Sequence, residues 1–200
     1  MIEGLFDDEF SFEYTEVLGV KLKLKPQDAG QIDSQMHLTL WPAAAELCNQ
    51  AISFLRPSIS VLELGAGTGL VGLFASKLSG SVEITDGNAE SIELIRDNIA
   101  LNNSPSTCYQ LQWGSSINKY DLILCSDVIY SSLAIRPLLE TIHSGLAPTS
   151  ICLLSNHRIR LSQLESQLTE TCASLNIDYT ILPTESQDIK TYKFTLKQFN

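Results

Sequence analysis

The sequence predicts an α/β fold in which helices cover both faces of a mostly parallel sheet. From about residue 60 onward, short apolar stretches alternate with segments whose apolar residues recur every three or four positions, the order expected of βαβ units. The first of these stretches runs directly into a glycine-rich turn. The last two are separated only by a short loop, which predicts an antiparallel strand at the C-terminal end. Together these observations predict a Rossmann-like, doubly wound sheet.

The N-terminal part of the chain departs from this alternation of strands and helices. Residues 10–25 alternate between apolar and polar side chains, which predicts a β-hairpin extension with Gly19 at its turn. No repeat or Gly/Ser-rich linker divides the chain. We therefore expect a single domain over residues 1–200, with an acidic segment and hairpin in residues 1–35 and the core in residues 36–200.

The core elements follow from the periodicity of the apolar residues. Pro42 fits the first turn of the first helix, where its missing N–H leaves no bond unmade, and Pro137 and Gly145 open and close a later helix. The predicted helices cover residues 40–55, 69–78, 88–101, 137–145 and 161–175. The predicted strands cover residues 60–64, 82–85, 107–112, 121–125, 150–155, 177–182 and 191–199, the last two as an antiparallel pair at the sheet edge.

Composition and charge limit the classes of partner. The chain has 23 acidic and 13 basic residues, a net charge of −10 and no basic patch, so we expect no nucleic-acid partner. An acidic surface suits a cationic partner such as a lysine-rich protein. The longest apolar stretch, residues 61–75, is interrupted by Glu63 and four glycines and is too short to span a membrane.

Cysteine usage and the N-terminus bear on location. Five cysteines without a CxxC pair indicate reduced thiols, and the acidic N-terminus does not resemble a secretory signal. We therefore expect a cytosolic or nuclear protein without a membrane anchor, and we expect it to be a monomer.

The segment VLELGAGTGL, residues 61–70, carries the strongest functional signal. Glycines between a strand and a helix let a ligand approach the backbone, and the helix N-terminus offers unpaired N–H groups. A nucleotide-like ligand at the carboxyl end of the strand is the natural inference. Residues 67–72, GTGLVG, also satisfy the GxGxxG pattern that dinucleotide enzymes share.

Two carboxylates help to choose between nucleotide cofactors. Asp86, at the end of the next predicted strand, can accept both ribose hydroxyls of any adenosine-containing cofactor. Glu63, just before the glycines, would repel a pyrophosphate but suits a cationic sulfonium ligand with an ammonium group. This favours S-adenosylmethionine over NAD. The chain length agrees, because one sheet leaves no residues for a dehydrogenase substrate domain.

A third informative segment is DLILCSDVIY, residues 121–130, a buried strand that ends in polar groups. The carboxyl end of this strand borders the same crevice as the glycine turn, so Asp127 and Tyr130 are candidates to meet the substrate. A turn-capping role for Asp127 and a packing role for Tyr130 are the alternatives. Trp113 and Trp41 are either flat walls for a ligand or core residues.

The combination of ELGAGTGL, ITD, a Trp-Gly pair, SDVIY and the preceding Leu40-Trp41-Pro42 resembles the seven-β-strand class I methyltransferases. More narrowly it is similar to the family-16 protein lysine methyltransferases. The resemblance implies that Asp127 and Tyr130 shape the site of the substrate lysine and that Glu63 matches the acidic residue of the first motif. It implies cofactor contacts at Trp41, Gly65, Ala66, Gly67, Asp86, Trp113 and Ser126.

The implied activity is methyl transfer from S-adenosylmethionine to a lysine side-chain amine of a protein, with Asp127 holding the nitrogen and Tyr130 packing on the lysine stem. Arginine or a small-molecule amine is an alternative acceptor, and a non-catalytic cofactor-binding module is an alternative class. The catechol-type metal pattern needs Asp-Asn after the fifth core strand, whereas the chain has Ser155-Asn156, so we predict no metal.

Overall fold

A computed structural model of the chain describes residues 12–25 and 38–198. The predicted acidic segment, the first two residues of the predicted hairpin and the segment before Leu38 lie outside the described residues. The strands are β1 (Glu13–Val17), β2 (Val20–Leu24), β3 (Ser60–Leu64), β4 (Ser81–Asp86), β5 (Thr107–Gln110), β6 (Tyr120–Ser126), β7 (Leu146–His157), β8 (Ile177–Leu182) and β9 (Ile189–Leu196). The helices are α1 (Pro42–Ala51), α2 (Leu70–Ala75), α3 (Ala89–Leu101), α4 (Ser132–Gly145), α5 (Arg158–Ser162) and α6 (Glu165–Ser174).

Seven of these strands form one sheet in the order β5-β4-β3-β6-β7-β9-β8. Strands β5, β4, β3, β6 and β7 are parallel to one another. Strand β9 pairs antiparallel with both β7 and β8. The predicted doubly wound sheet with an antiparallel C-terminal ending is therefore confirmed. The order reverses at β3, so the crevice between β3 and β6 is where a ligand is expected in such a sheet.

Apolar packing on both faces explains why most residues of the central strands are apolar. On one face, α1, α2, α3 and β2 pack over β3, β4 and β6; on the other, α4, α6, β8 and β9 share a core with the remaining side chains of β3, β6 and β7. Burial on both faces removes the alternation that a half-exposed strand shows. The sheet is therefore buried on both faces beneath the loops that follow its strands.

The predicted hairpin is present as β1 and β2, joined at Leu18 and Gly19. Both turn residues have positive φ, 51° and 72°, which is the geometry of a two-residue hairpin turn that matches strand twist. The apolar side chains of β2 are buried against α2 and α3. The hairpin is thus an extra layer over the helices rather than an extension of the main sheet.

Two predicted helices differ from those observed. The helix predicted to open at Pro137 begins instead at Ser132, because the Ser131 side chain accepts a hydrogen bond from the Leu133 N–H and caps the first turn. Pro137 therefore lies inside α4. The single helix predicted over residues 161–175 is divided into α5 and α6. Both pieces bury leucines on the same side, so the spacing of apolar residues does not reveal the break.

Candidate active site

A cavity of about 570 Å³ opens at the carboxyl ends of the parallel strands. It lies where the strand order reverses, and its size is within the ordinary range for a small-molecule site. Its walls come from the loops after β3, β4, β5 and β6 and from α1, α4 and α5. The lining residues are Trp41, Gly65, Asp86, Gly87, Asn88, Leu111, Gln112, Trp113, Ser126, Asp127, Val128, Tyr130, Pro137 and Arg160.

The glycine-rich turn forms the floor of the cavity. Gly65 has φ of +67°, and a Cβ there would lie 2.8 Å from Cγ1 of Val128 and 2.9 Å from Cζ2 of Trp113. Only glycine fits this position without displacing the cavity wall. Ala66 donates its N–H to the Thr85 carbonyl at 2.9 Å, which fixes the turn against the end of β4. The turn therefore presents its backbone toward the cavity.

Asp86 ends β4 and lines the cavity. Its Oδ2 accepts the Gly67 N–H at 2.8 Å, and its Oδ1 accepts the Asn88 N–H at 2.9 Å. These two bonds fix the carboxylate plane, and a carboxylate can accept about four hydrogen bonds in all. Capacity for the two hydroxyls of a ribose therefore remains. Gly67, through this bond, helps to hold Asp86 but does not itself line the cavity.

Glu63 points away from the cavity. Its side chain is 1% exposed, and its Oε2 accepts the Gly72 N–H of α2 at 2.7 Å. Its Oε1 has no hydrogen-bond partner among the described residues. Burial penalises the charged form and raises the pKa of Glu63 to about 8. Glu63 therefore ties β3 to α2 behind the glycine turn, and the predicted contact with a cationic cofactor stays a prediction.

Asp127 follows β6 with a positive φ of 51°, which is uncommon outside glycine. Its Oδ2 accepts the Ala43 N–H of α1 at 3.2 Å, and its Oδ1 accepts the His157 N–H at 2.9 Å. The carboxylate is only 7% exposed and is held between the starts of α1 and α5. Its remaining lone pairs can accept hydrogens from a ligand in the cavity. Ser126, the last residue of β6, lies beside it in the wall.

Aromatic rings form the sides of the cavity. The rings of Trp113 and Tyr130 have centroids 6.4 Å apart and are tilted by 46°. Tyr130 is 61% exposed, so it stands at the rim of the cavity. Trp41 lies on the α1 side, with the guanidinium of Arg160 4.0 Å from its ring centroid. Both tryptophans line the cavity, and Trp113 also packs against the apolar core.

Seven of the ten predicted site residues line one cavity: Trp41, Gly65, Asp86, Trp113, Ser126, Asp127 and Tyr130. Ala66 and Gly67 lie in the turn behind Gly65, and Glu63 is buried beneath it. The roles assigned to all ten stay predictions. Sequence reasoning missed Gln112 and Arg160. Gln112 adjoins Trp113 and donates to the Gly87 carbonyl at 2.6 Å, whereas no local pattern singles out Arg160.

Over the described ranges, no group of three or more His, Cys, Asp or Glu side chains is placed to hold a metal ion. Within the same ranges no helix is long and apolar enough to cross a membrane.

The sheet order and the cavity over its glycine turn define a class I methyltransferase fold. The solved structure of the T. thermophilus 16S rRNA N2 G1207 methyltransferase RsmC, in complex with AdoMet and guanosine, superimposes with a TM-score of 0.67. The match covers 94% of this chain and 50% of that chain at 16% identity, so it bears on the fold alone.

A family model described as lysine methyltransferase matches residues 23–171, and the chain belongs to that family. Protein N-lysine methyltransferase METTL21A of Xenopus tropicalis is 35% identical over 127 residues, which are 58% of this chain and 59% of that protein. EEF1A lysine methyltransferase 3 of Xenopus tropicalis is 31% identical over 168 residues, 78% of this chain and 73% of that protein. The matched part is thus less than two thirds of METTL21A. The family expected from the sequence motifs is confirmed.

Proposed function

We propose that this chain transfers a methyl group from S-adenosylmethionine to the side-chain amine of a lysine in a protein substrate. The observation that carries the proposal is the cavity that joins the glycine turn and Asp86 at one end to Asp127 and Tyr130 at the other. Membership of the lysine methyltransferase family supports the reaction and its methyl donor. The names of METTL21A and EEF1A lysine methyltransferase 3 support a protein acceptor.

The cavity fits the cofactor in shape and chemistry. A Cβ on Gly65 would collide with Val128 and Trp113, so the glycine lets these two wall residues close onto the turn while its own backbone stays in the floor of the cavity, within reach of a ligand. Asp86 can receive the ribose hydroxyls, and Trp113 offers a flat face to the adenine. Because Asp86 is already fixed by two backbone N–H groups, little reorganisation accompanies binding.

The methyl group of S-adenosylmethionine is bonded to a positive sulfur, and when an amine nitrogen bonds to that carbon the carbon–sulfur bond breaks and its electron pair stays on sulfur. The chain's own task is to align and desolvate the amine. A free lysine has a pKa of about 10.4 and must lose a proton before its nitrogen can attack.

Asp127 is suited to hold the lysine nitrogen. Two backbone N–H groups already fix its carboxylate, and the oxygens keep lone pairs for the amine hydrogens. Tyr130 can pack on the apolar lysine stem at the rim. The proton leaves to water, so Asp127 acts by holding and orienting the amine.

The partner and location are also proposals. The net charge of −10 supports a cationic segment around the target lysine and argues against nucleic acid as the substrate. All five cysteines are free thiols, which supports a cytosolic or nuclear location. We also propose that the enzyme is a monomer.

Calorimetric titration with S-adenosylhomocysteine tests the cofactor site. We expect micromolar binding, no binding of NAD, and a large loss of affinity in Asp86→Ala. Asp97→Ala is the matched control, because Asp97 is an exposed carboxylate on α3 paired with Lys23 and does not line the cavity. Failure of the wild-type chain to bind S-adenosylhomocysteine would contradict the proposal.

A further inference from the structure

Arg160 is a cation inside the cavity whose hydrogen-bonding capacity is not used by the fold. It lies on α5, lines the cavity, and has its guanidinium carbon 4.0 Å from the ring centroid of Trp41. Across residues 12–25 and 38–198 its side chain forms no hydrogen bond or ion pair. A guanidinium has five N–H donors in a planar fork that matches a carboxylate. The stacking on Trp41 fixes one face of this fork and leaves its edge available.

The order of the strands determines which end of the cofactor Arg160 meets. Asp86 ends β4, Gly65 follows β3, Asp127 follows β6, and α5 follows β7. These strands are neighbours in the sheet, so Asp86 and the start of α5 are separated by three strand spacings, roughly 14 Å. A cofactor with its ribose on Asp86 and its sulfur near Asp127 therefore extends its amino-acid end toward Trp41 and Arg160.

The charges along the cavity agree with this direction. Asp86 and Asp127 are carboxylates and suit the ribose hydroxyls and the incoming amine. The positive charge of Arg160 would repel the amine of an incoming lysine, whereas it would attract the one negative group of the cofactor. That group is the carboxylate of the methionine portion, which a guanidinium binds more strongly than a neutral donor does.

We propose that Arg160, held by stacking on Trp41, binds the α-carboxylate of S-adenosylmethionine. The inference rests on the proposed function only in taking S-adenosylmethionine as the ligand; it does not depend on which amine is methylated. Arg160 is then a cofactor-binding residue that the glycine and acidic motifs do not reveal.

The test compares two ligands that differ only in the carboxylate. Calorimetry measures the affinity of the wild-type chain and of Arg160→Gln for S-adenosylhomocysteine and for decarboxylated S-adenosylhomocysteine, which keeps the amine. We expect Arg160→Gln to weaken S-adenosylhomocysteine roughly ten- to hundredfold, the range for a hydrogen bond between charged groups. We expect less than a twofold change for the decarboxylated ligand.

Two further variants separate charge from position. Arg160→Lys keeps the charge without the fork, so its affinity for S-adenosylhomocysteine should fall between those of the wild type and Arg160→Gln. Arg158→Gln makes the same charge change on the same helix, but Arg158 donates to the Ile189 carbonyl at 3.1 Å and does not line the cavity. We expect Arg158→Gln to bind both ligands like the wild type.

Each other result is decisive. Equal weakening of both ligands in Arg160→Gln would show that Arg160 only supports Trp41 and would overturn the proposal. Unchanged binding of both ligands, with weaker turnover of a protein substrate, would place an acidic group of the substrate on Arg160 and would also overturn it. No binding of S-adenosylhomocysteine by the wild-type chain would instead refute the cofactor itself, and the proposed function with it.

Discussion

Two asparagines that hold the hairpin, Asn98 in α3 and Asn102 at its C-terminal cap, provide a quantitative prediction. Asn98 accepts the Lys23 N–H at 2.7 Å and donates to the Lys23 carbonyl at 3.0 Å and to the Thr68 carbonyl at 2.9 Å. Asn102, one turn later, makes the same pair of bonds to the backbone of Lys21. Each side-chain amide thus bonds to both the N–H and the carbonyl of one β2 residue, as the backbone of a neighbouring strand would. Asn98 is fully buried, whereas the bonds of Asn102 to Lys21 are exposed.

Asn98→Ala should lower the free energy of unfolding by about 2 kcal/mol. Three hydrogen bonds at about 1 kcal/mol each are lost, and the better helix propensity of alanine returns up to about 0.7 kcal/mol. For a chain of 200 residues this corresponds to a decrease in Tm of roughly 4–8 °C. Asn102→Ala should cost less than about 1 kcal/mol, because water replaces its bonds.

Urea unfolding followed by circular dichroism measures both variants under the same conditions. Similar losses of unfolding free energy in Asn98→Ala and Asn102→Ala would refute the reasoning that burial makes the hydrogen bonds of Asn98 worth more than those of Asn102. A loss below about 0.5 kcal/mol in Asn98→Ala would refute it as well. Because Asn98 also holds Thr68 in the glycine-rich turn, Asn98→Ala should additionally weaken S-adenosylhomocysteine in calorimetry, and Asn102→Ala should not.

Three other predictions address the cavity and the residue beneath it. Gly65→Ala should abolish S-adenosylhomocysteine binding in calorimetry, because the added Cβ would displace Val128 and Trp113 from the cavity wall. Gly19→Ala is the control and should keep binding, since its φ of +72° is similar but only the end of a lysine side chain lies near its Cβ. Equal binding by both variants would contradict the argument that Gly65 is needed for the close contact between the turn and the wall. Glu63 has its pKa raised to about 8 in the folded chain, above its unfolded value, so its contribution to stability is complete below about pH 4 and is lost as the pH rises through 8. Relative to Glu63→Gln, the wild type should therefore lose unfolding free energy as the pH rises from 5 toward 8, by at most about 1.4 kcal/mol per pH unit. A difference in unfolding free energy between the two proteins that stays constant across that range would exclude the shift. Asp127→Asn should lower methyl transfer roughly a hundredfold while changing S-adenosylhomocysteine affinity much less, and a parallel fall in both would assign Asp127 to the cofactor instead of the amine.

The sheet could be predicted from the sequence because each strand and the turn after it are recognisable from a few consecutive residues. The strand before Gly65 and the strand before Asp127 are mostly apolar, and each is followed by glycine or polar residues that are typical of a strand-to-loop junction. A parallel sheet brings all such junctions to one edge, so Asp86 and Asp127 could be placed in one crevice without coordinates.

Helix boundaries were harder to predict from the sequence because more than one residue near each boundary can begin or end a helix. Pro137 is favoured at a helix start, yet the Ser131 cap lies six residues earlier and the intervening residues can all be helical. The break between α5 and α6 leaves the spacing of buried leucines unchanged, so periodicity cannot report it.

The direction of a side chain was the least predictable feature of the site. Glu63 occupies a motif position but turns toward Gly72, because the backbone N–H of α2 is its available donor. Arg160 reaches the cavity from α5 only because β7 neighbours β6, a pairing across the chain that no local pattern encodes. Local sequence therefore identifies the glycine turn at the floor of the cavity better than the wall that α5 contributes.

The central claim, methyl transfer to a protein lysine, is tested most directly by identifying the modified atom. The purified chain is incubated with isotope-labelled S-adenosylmethionine and cell lysate proteins, with Asp127→Asn in parallel, and labelled peptides are sequenced by mass spectrometry. We predict label on lysine Nζ with the wild type and strong depletion with Asp127→Asn. Label on arginine or small amines, or no label despite S-adenosylhomocysteine binding, would contradict the account.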